Sequence, residues 1–241
     1  MAKSKFQIIF QDEDIIVVNK SSGITVIPTR SGIPLSLKQM LETQLESDIF
    51  IIHRIDRETS GIVILAKNEA AHKALNHQFL NRIVTKEYIC LSNGNTGENW
   101  EEINKPILQD SRSKTVRINH EGKKAISHYK SLANSKRYCK NLLRIETGRM
   151  HQIRVHMASV GHPILGDILY NKNPEVYLSS FKKKYTSSKH SSQEESLMKR
   201  AALHAYSLEI VHPRTEEKLK FTADLPKDIR ACWNQIEKWD M

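Results

Sequence analysis

Asp56 lies in a charged run, His53-Arg54-Ile55-Asp56-Arg57-Glu58-Thr59-Ser60-Gly61, set between the apolar runs Phe50-Ile51-Ile52 and Ile62-Val63-Ile64-Leu65-Ala66. A carboxylate flanked by two guanidinium groups, with an imidazole before it and two hydroxyls after it, can serve as a nucleophile or a base. The same residues can equally form an ionic surface turn, and the nine positions alone leave both readings open. A second run shifts the balance. From Thr147 to Met157 the chain reads Thr-Gly-Arg-Met-His-Gln-Ile-Arg-Val-His-Met, with Arg149 and Arg154 interleaved among Met150, Ile153 and Met157. Those apolar residues keep the i, i+3, i+7 spacing of one helix face, which predicts a helix that leaves both arginines pointing elsewhere. Gly161-His162-Pro163 then ends it.

The elements that must carry these runs can be read on either side. The β-branched runs around Asp56 predict a strand, a loop and a strand, a rigid mount for chemistry. Residues 6–10 and 14–20 predict two strands about the acidic turn Gln11-Asp12-Glu13, and Ser21-Ser22-Gly23 turns the chain into a further extended run at 24–27. Ser36 with Gln39 is a capping-box start for a helix through Leu37, Met40, Leu41 and Leu45. Asn68 can cap a second helix with Ala71, Ala74, Leu75 and Phe79 on its apolar face. Strands are expected over 82–91, 115–118, 125–132, 139–146, 201–211 and 219–223. Pro226 opens a last helix with the stripe Ile229, Trp233 and Ile236. Many strands and few helices predict an α+β fold on a mixed, mostly antiparallel sheet with flanking helices and loops, without a Rossmann alternation. One domain over 1–241 is expected. Residues 172–200 carry seven Lys or Arg, three Glu and seven Ser, and are read as a mobile basic insertion or a solvated spacer.

Composition narrows the class. With 37 basic and 27 acidic residues the chain has a formal charge of +10 and a pI near 9.4, which suits a polyanionic partner. No apolar run reaches the ~20 residues of a membrane span, and no apolar signal core follows Met1, so the cytoplasm is the expected location. Cys90, Cys139 and Cys232 have neither metal nor redox spacing and are expected as reduced core thiols. A metal hydrolase built on His53, His151, His156, His162 and His204 is disfavoured, because His151 and His156 are five apart and fall on different helix faces.

Together these motifs resemble the RluA-type pseudouridine synthases. The run from His53 to Gly61 is similar to that family's catalytic motif. The run from Gly148 to Arg154, followed by Gly161-His162-Pro163-Ile164-Leu165-Gly166-Asp167, is similar to its second signature. Asp14 to Lys20, Lys86-Glu87-Tyr88 and Leu203-His204-Ala205 match further motifs in the same order, from about residue 6 to about residue 224. The resemblance implies an RNA pseudouridine synthase that needs no metal and no cofactor. Asp56 would be its nucleophile or base, Tyr88 an active-site tyrosine beside the target base, and Arg154 a salt-bridge partner of Asp56. It implies that the target nucleotide is flipped out of its stack, with Arg54 filling the vacated space and Arg149, Lys182, Lys183 and Lys184 holding phosphates. The partner would be structured RNA, a tRNA or 23S rRNA stem-loop, and the enzyme a monomer of the short subgroup without an S4 domain. Two departures stand out. Ser21 replaces the usual Pro of the first turn, at some expected cost in rigidity, and Glu216 stands where a hairpin Gly is usual. A non-catalytic RNA-binding protein of the same fold is the alternative; the joint presence of Asp56, Tyr88 and Arg154 argues against it.

Overall fold

The computed structural model describes residues 4–29, 34–110, 115–182, 185 and 194–241. The chain forms two compact units, residues 1–88 with 204–224, and residues 89–203 with 225–241.

In the first unit β1 (Phe6–Gln11) runs antiparallel to β2 (Ile15–Lys20), and β2 antiparallel to β4 (Ser60–Ala66). The short β3 (Phe50–Ile51) also pairs with β4. β11 (Leu203–Val211) joins β4 in parallel through His204 and Ala205, and β12 (Lys218–Thr222) pairs with β11. Every residue of β4 is buried, which is why its sequence reads as a continuous apolar run and not as an alternation. Ile15, Val17, Ile62, Ile64, Leu208 and Phe221 form the core with Ala71 and Leu75 of α2 (Glu69–Leu80). Asn68 caps α2 by accepting the Ala71 N–H, and Ser36 with Gln39 forms a complete capping box on α1 (Leu37–Leu45). Residues 24–27 form no strand and bend at 26–27, because Leu37 and Lys38 donate to the Thr25 and Val26 carbonyls and divert that backbone from a ladder. Ser21 compensates for the absent Pro: its N–H donates to the Lys5 carbonyl at 2.9 Å, a bond Pro cannot make.

β5 (Thr85–Asn93) carries the chain into the second unit. There the strand order is β5, β10 (Tyr138–Ile145), β9 (Ile126–Asn134) and β6 (Glu101–Asn104), with β7 (Ile107–Gln109) and β8 (Val116–Ile118) as a separate ribbon. α3 (Gln152–Ser159) sends Val155 into a cluster with Ile107, Val116 and Ala125. α4 (Lys227–Trp239) buries Ile229, Cys232, Trp233 and Ile236, the predicted stripe with the cysteine added. Asp240 then pins the β9–β10 turn by accepting from the Ser135 hydroxyl and from Nε of Arg137, both at 2.8 Å. The three thiols are buried and unbridged, and burial pushes Cys232 up to about 12, so it stays protonated.

The described ends of the 172–200 segment are part of this unit and not a loose excursion. Leu197 donates to the Val176 carbonyl, Val176 and Met198 are buried, and Arg200 grips Asp228 through Nε at 2.7 Å and Nη2 at 3.0 Å. The basic count hid this, because the apolar anchors are single residues with no period. Among the described residues, no helix is long and apolar enough to cross a membrane.

Candidate active site

In the first unit the loop from Ile52 to Thr59 hangs between β3 and β4, and its backbone is held from several directions. Lys20 is fully buried and donates from Nζ to three carbonyls, Ser21 and Ile24 at 2.9 Å and Arg57 at 3.2 Å. The Arg57 carbonyl also accepts the Gly23 N–H at 2.8 Å, and Arg57 Nε returns a bond to the Gly23 carbonyl. Thr59 N–H closes the turn on the Asp56 carbonyl. Downstream, Ser60 Oγ lies 2.9 Å from His204 Nδ1, and His204 Nε2 donates to the Ala223 carbonyl, so the Ser60 hydroxyl is the donor in the first contact. Gly61 has φ +112°, and a Cβ there would come within 2.2 Å of the Ala205 carbonyl oxygen, which explains Gly at the end of the motif.

His53 is a structural member of this loop. Its Nε2 accepts the Ile64 N–H at 3.1 Å, and its ring stacks on Phe79 of α2 with centroids 4.9 Å apart. Burial, and then the charge of Lys86, lowers its pKa to about 3, so the imidazole is neutral at working pH.

Asp56 is half-buried, while Arg54, Arg57 and Glu58 are exposed on the loop's outer side. Tyr88 on β5 is buried, and burial followed by the Asp56 charge pushes its phenol well above the ordinary tyrosine range. The fold of the first unit therefore brings the Asp56 loop within electrostatic reach of Tyr88 on β5, two segments that the sequence could match only by motif.

The second signature is built differently. α3 begins at Gln152, not at Met150, and Gln152 through Met157 are all buried. The expectation that Arg154 points away from an apolar face is therefore corrected: the helix is buried nearly all round, and the arginine goes inward with a partner. Arg154 donates from Nε and Nη2 to the two oxygens of Asp167, both at 2.7 Å, and its guanidinium lies 5.2 Å from the Tyr170 ring centroid. This in-plane fork with a ring on its face fixes the cation in orientation as well as position. Tyr170 is itself tied down, its oxygen 2.9 Å from His151 Nδ1 and accepting the Val116 N–H at 3.0 Å.

Gln152 uses its whole amide. It accepts from the Thr147 hydroxyl at 2.8 Å and the Arg149 N–H at 3.0 Å, and donates to the Ile126 carbonyl and Ser127 Oγ. His156 bridges Ser127 Oγ and the Lys105 carbonyl, and burial lowers its pKa against the raising effect of that carbonyl. Neither Gln152 nor Asp167 was singled out as a working residue by sequence; a buried Gln and Asp inside motifs otherwise rich in basic groups was the available signal. The histidines considered for a metal site are engaged in hydrogen bonds to protein groups, His162 to the Asn93 carbonyl among them.

Of the expected phosphate holders, Arg149 is exposed with Nε on the Lys124 carbonyl, and Lys182 lies over the Trp239 ring. Lys183 and Lys184 lie outside the described residues.

A family model described as RNA pseudouridylate synthase matches residues 14–159. The chain is 32% identical over 240 residues to ribosomal large subunit pseudouridine synthase D of Haemophilus influenzae, an alignment covering 95% of this chain and 70% of that one. It is 31% identical over 241 residues to the uncharacterized RNA pseudouridine synthase YlyB of Bacillus subtilis, covering 96% and 73%. Among solved structures, human RNA pseudouridylate synthase domain containing 1 superposes with a TM-score of 0.70 at 26% identity, over 98% of this chain and 88% of the other.

Proposed function

This chain belongs to the RNA pseudouridylate synthase family, and from that premise we propose that it isomerises a chosen uridine of structured RNA with Asp56 as the reacting carboxylate. The reaction breaks the bond between C1′ and N1, turns the base and rejoins it through C5, so atoms and electrons balance without an oxidant or a metal. The observation that carries the assignment is the juxtaposition of Asp56 and Tyr88 in one unit.

Asp56 acts as nucleophile or base toward the nucleotide. Tyr88 enters as a neutral phenol beside the base. Its loss of a proton is opposed first by burial and then by the Asp56 charge for as long as the carboxylate is free. Once that carboxylate is bonded to substrate its charge is gone, so the smaller of the two effects that hold the Tyr88 proton is lifted while burial remains, and Tyr88 becomes a better proton carrier for the loss of the C5 proton than it was before. Arg154, oriented by Asp167 and Tyr170, is assigned the part that the second signature gives its arginine in the family. Arg54 is exposed on the Asp56 loop and fills the place of the flipped nucleotide; Arg149 and Lys182 hold phosphates.

The names of the ribosomal relatives favour large-subunit rRNA as the substrate, with a tRNA stem-loop as the second choice. The enzyme works in the cytoplasm as a monomer with both units serving one catalytic domain. The test is pseudouridine mapping of ribosomal and transfer RNA from cells with the gene, without it, and with Asp56→Asn in its place. A uridine modified only in the first strain is expected. In vitro, Asp56→Asn should lose about a thousandfold or more in rate and bind RNA within a few-fold of the wild type, because an amide is neither nucleophilic nor basic. Comparable turnover by the variant would favour the non-catalytic reading of Asp56.

A further inference from the structure

The end of α4 gathers an indole ring and two ammonium groups on the surface of the second unit. The apolar stripe of that helix, Ile229, Trp233 and Ile236, is buried; Trp239 continues its spacing yet is 39% exposed. Lys182 Nζ lies 4.9 Å from the centroid of the Trp239 ring, and Lys238 Nζ 5.0 Å from it. A single exposed aromatic residue means little. What distinguishes this one is the way its surroundings are anchored. Asp240 fastens the end of α4 to the β9–β10 turn, as above. From that turn Arg137 donates through Nη1 to the Ser180 carbonyl, and its guanidinium lies 5.6 Å from the Phe181 ring centroid. Phe181 is buried edge-on against Tyr138, with centroids 6.0 Å apart. Lys182 leaves this turn with its own N–H on the Leu178 carbonyl at 2.9 Å. The ring and both lysines therefore rise from fixed backbone, while the ammonium tips stay free to move.

The charges around the ring are unequally satisfied. Asp240 is taken up by Ser135 and Arg137, and Glu194 accepts the Ser179 N–H at 2.9 Å. Glu237 is exposed, but two helical positions set it about 200° round α4 from Trp239. Neither Lys182 nor Lys238 has a carboxylate partner among the described residues; the Trp239 ring is what both of them cover. An aromatic face carrying two uncompensated cations suits a strand whose bases are flat and whose backbone is anionic.

Resting on the function proposed above, which makes RNA the partner of this chain, we infer that Trp239, Lys182 and Lys238 form a stacking platform for one base of an unpaired RNA segment. The lysines hold the phosphates on either side of that base. An incoming base displaces an ammonium group from the ring, and the flexible lysine stem carries the charge to the adjoining phosphate. Every base has a flat face, so the platform separates unpaired from paired RNA and does not read base identity. An acidic peptide would meet the two lysines but leave the ring face without a stacked partner.

The experiment measures equilibrium binding of the full chain to three RNAs by fluorescence polarisation. They are an oligoadenylate of about ten nucleotides, an abasic strand of the same length and charge, and a blunt G·C duplex. None contains uridine, so none offers Asp56 a substrate. The wild type should bind the adenylate strand about tenfold more tightly than the abasic strand, and more tightly than the duplex. Trp239→Leu keeps an apolar side chain but has no ring face, and should bring the adenylate and abasic strands to equal affinity; Trp239→Phe should keep most of the difference. Lys238→Gln should keep it too, but lower the slope of log affinity against log salt by about 0.7, the share of one phosphate contact on a single strand. A melting curve confirms that each variant is folded. Equal binding of the adenylate and abasic strands by the wild type, or a difference that survives Trp239→Leu, would overturn the platform. So would a glutamate peptide of the same charge that competes as well as the adenylate strand, which would assign the surface to acidic protein. A chain that binds oligoadenylate through Trp239 yet forms no pseudouridine in any RNA would overturn the functional reading and leave the platform standing.

Discussion

The Asp56 loop and the segment from Thr147 to Asn171 hold their key residues by opposite means. In the first, protein groups grip the backbone: Lys20 and Gly23 on the Arg57 carbonyl, His53 on the Ile64 N–H, Ser60 on His204. The charged side chains of that loop lie outward and half-exposed or exposed. In the second, the grip is on the side chain itself, with Asp167 and Tyr170 around the Arg154 guanidinium and Gln152 filling every valence of its amide. A carboxylate that must form and break bonds needs a fixed origin with some freedom at its tip. A cation that only shapes the field gains from having no freedom at all. The two constructions should therefore respond differently to damage.

The largest stability effect is expected at the side-chain grip. Asp167→Ala removes the carboxylate from a buried guanidinium and should cost about 3–5 kcal/mol, read as a lower urea midpoint at unchanged m. Joining it to Arg154→Met removes the buried charge as well and should return much of that stability without returning activity. A cost under about 1 kcal/mol for Asp167→Ala would mean that the pair is not under the constraint its geometry indicates.

A smaller loss is expected at the backbone grip. Lys20→Met keeps the length of the side chain but deprives the Ser21, Ile24 and Arg57 carbonyls of their common donor. Buried acceptors left unsatisfied cost about 1–3 kcal/mol, and part of this loop can rehydrate, so a loss of about 2 kcal/mol is expected. Because the Arg57 carbonyl adjoins Asp56, kcat should fall more than RNA affinity. Equal falls in both would point to general loosening and against a specific hold on the loop.

The same contrast decides what the sequence could disclose. The Asp56 loop and its two strands were legible because a charged run between β-branched runs admits few structures. The capping residues Ser36 and Asn68 were legible because their partners are three residues away. The inward course of Arg154 was not, since Met150, Ile153 and Met157 satisfied a helical period that the helix does not use: Met150 precedes it. Lys20 sat at the end of a visible strand, yet its three carbonyl acceptors come from a turn and a loop brought together by the sheet. Asp167 stands at the end of the second signature, and only folding shows that its partner is thirteen positions upstream.

A gentler probe of the loop uses acid. The folded value of His53 is about 3 against an unfolded value near 6.5, so below 6.5 the unfolded chain takes up a proton that the folded chain refuses. Its contribution is complete above pH 6.5 and drains as pH falls toward 3, by up to about 1.4 kcal/mol per pH unit. His156, lowered by burial, pulls in the same direction. His53→Gln can still offer an acceptor to the Ile64 N–H but cannot titrate. Between pH 6.5 and pH 5 the wild type should lose about 2 kcal/mol more than this variant in urea unfolding. Parallel curves for the two proteins would remove His53 as the source.

The smallest effect is expected far from both constructions, in the hairpin that joins β11 to β12. Glu216 sits at φ +61°, the left-handed region where Cβ crowds the backbone and where a Gly carries no such cost. The turn is closed by backbone bonds: His212 N–H donates to the Glu217 carbonyl at 2.8 Å, and Glu216 N–H to the His212 carbonyl at 3.1 Å. Those bonds hold the backbone where the side chain disfavours it. Glu216→Gly relieves the crowding but also loosens the unfolded chain, and the two effects oppose each other. Relief of a left-handed non-glycine residue is worth about 1–2 kcal/mol, and the added chain entropy takes back about half of that, so a net gain of about 0.5–1 kcal/mol is expected. The measurement is a thermal melt at constant pH, with the rate on RNA as a control that should not move. A melting temperature lowered by the glycine would show that the Glu216 side chain stabilises the turn more than its backbone conformation costs.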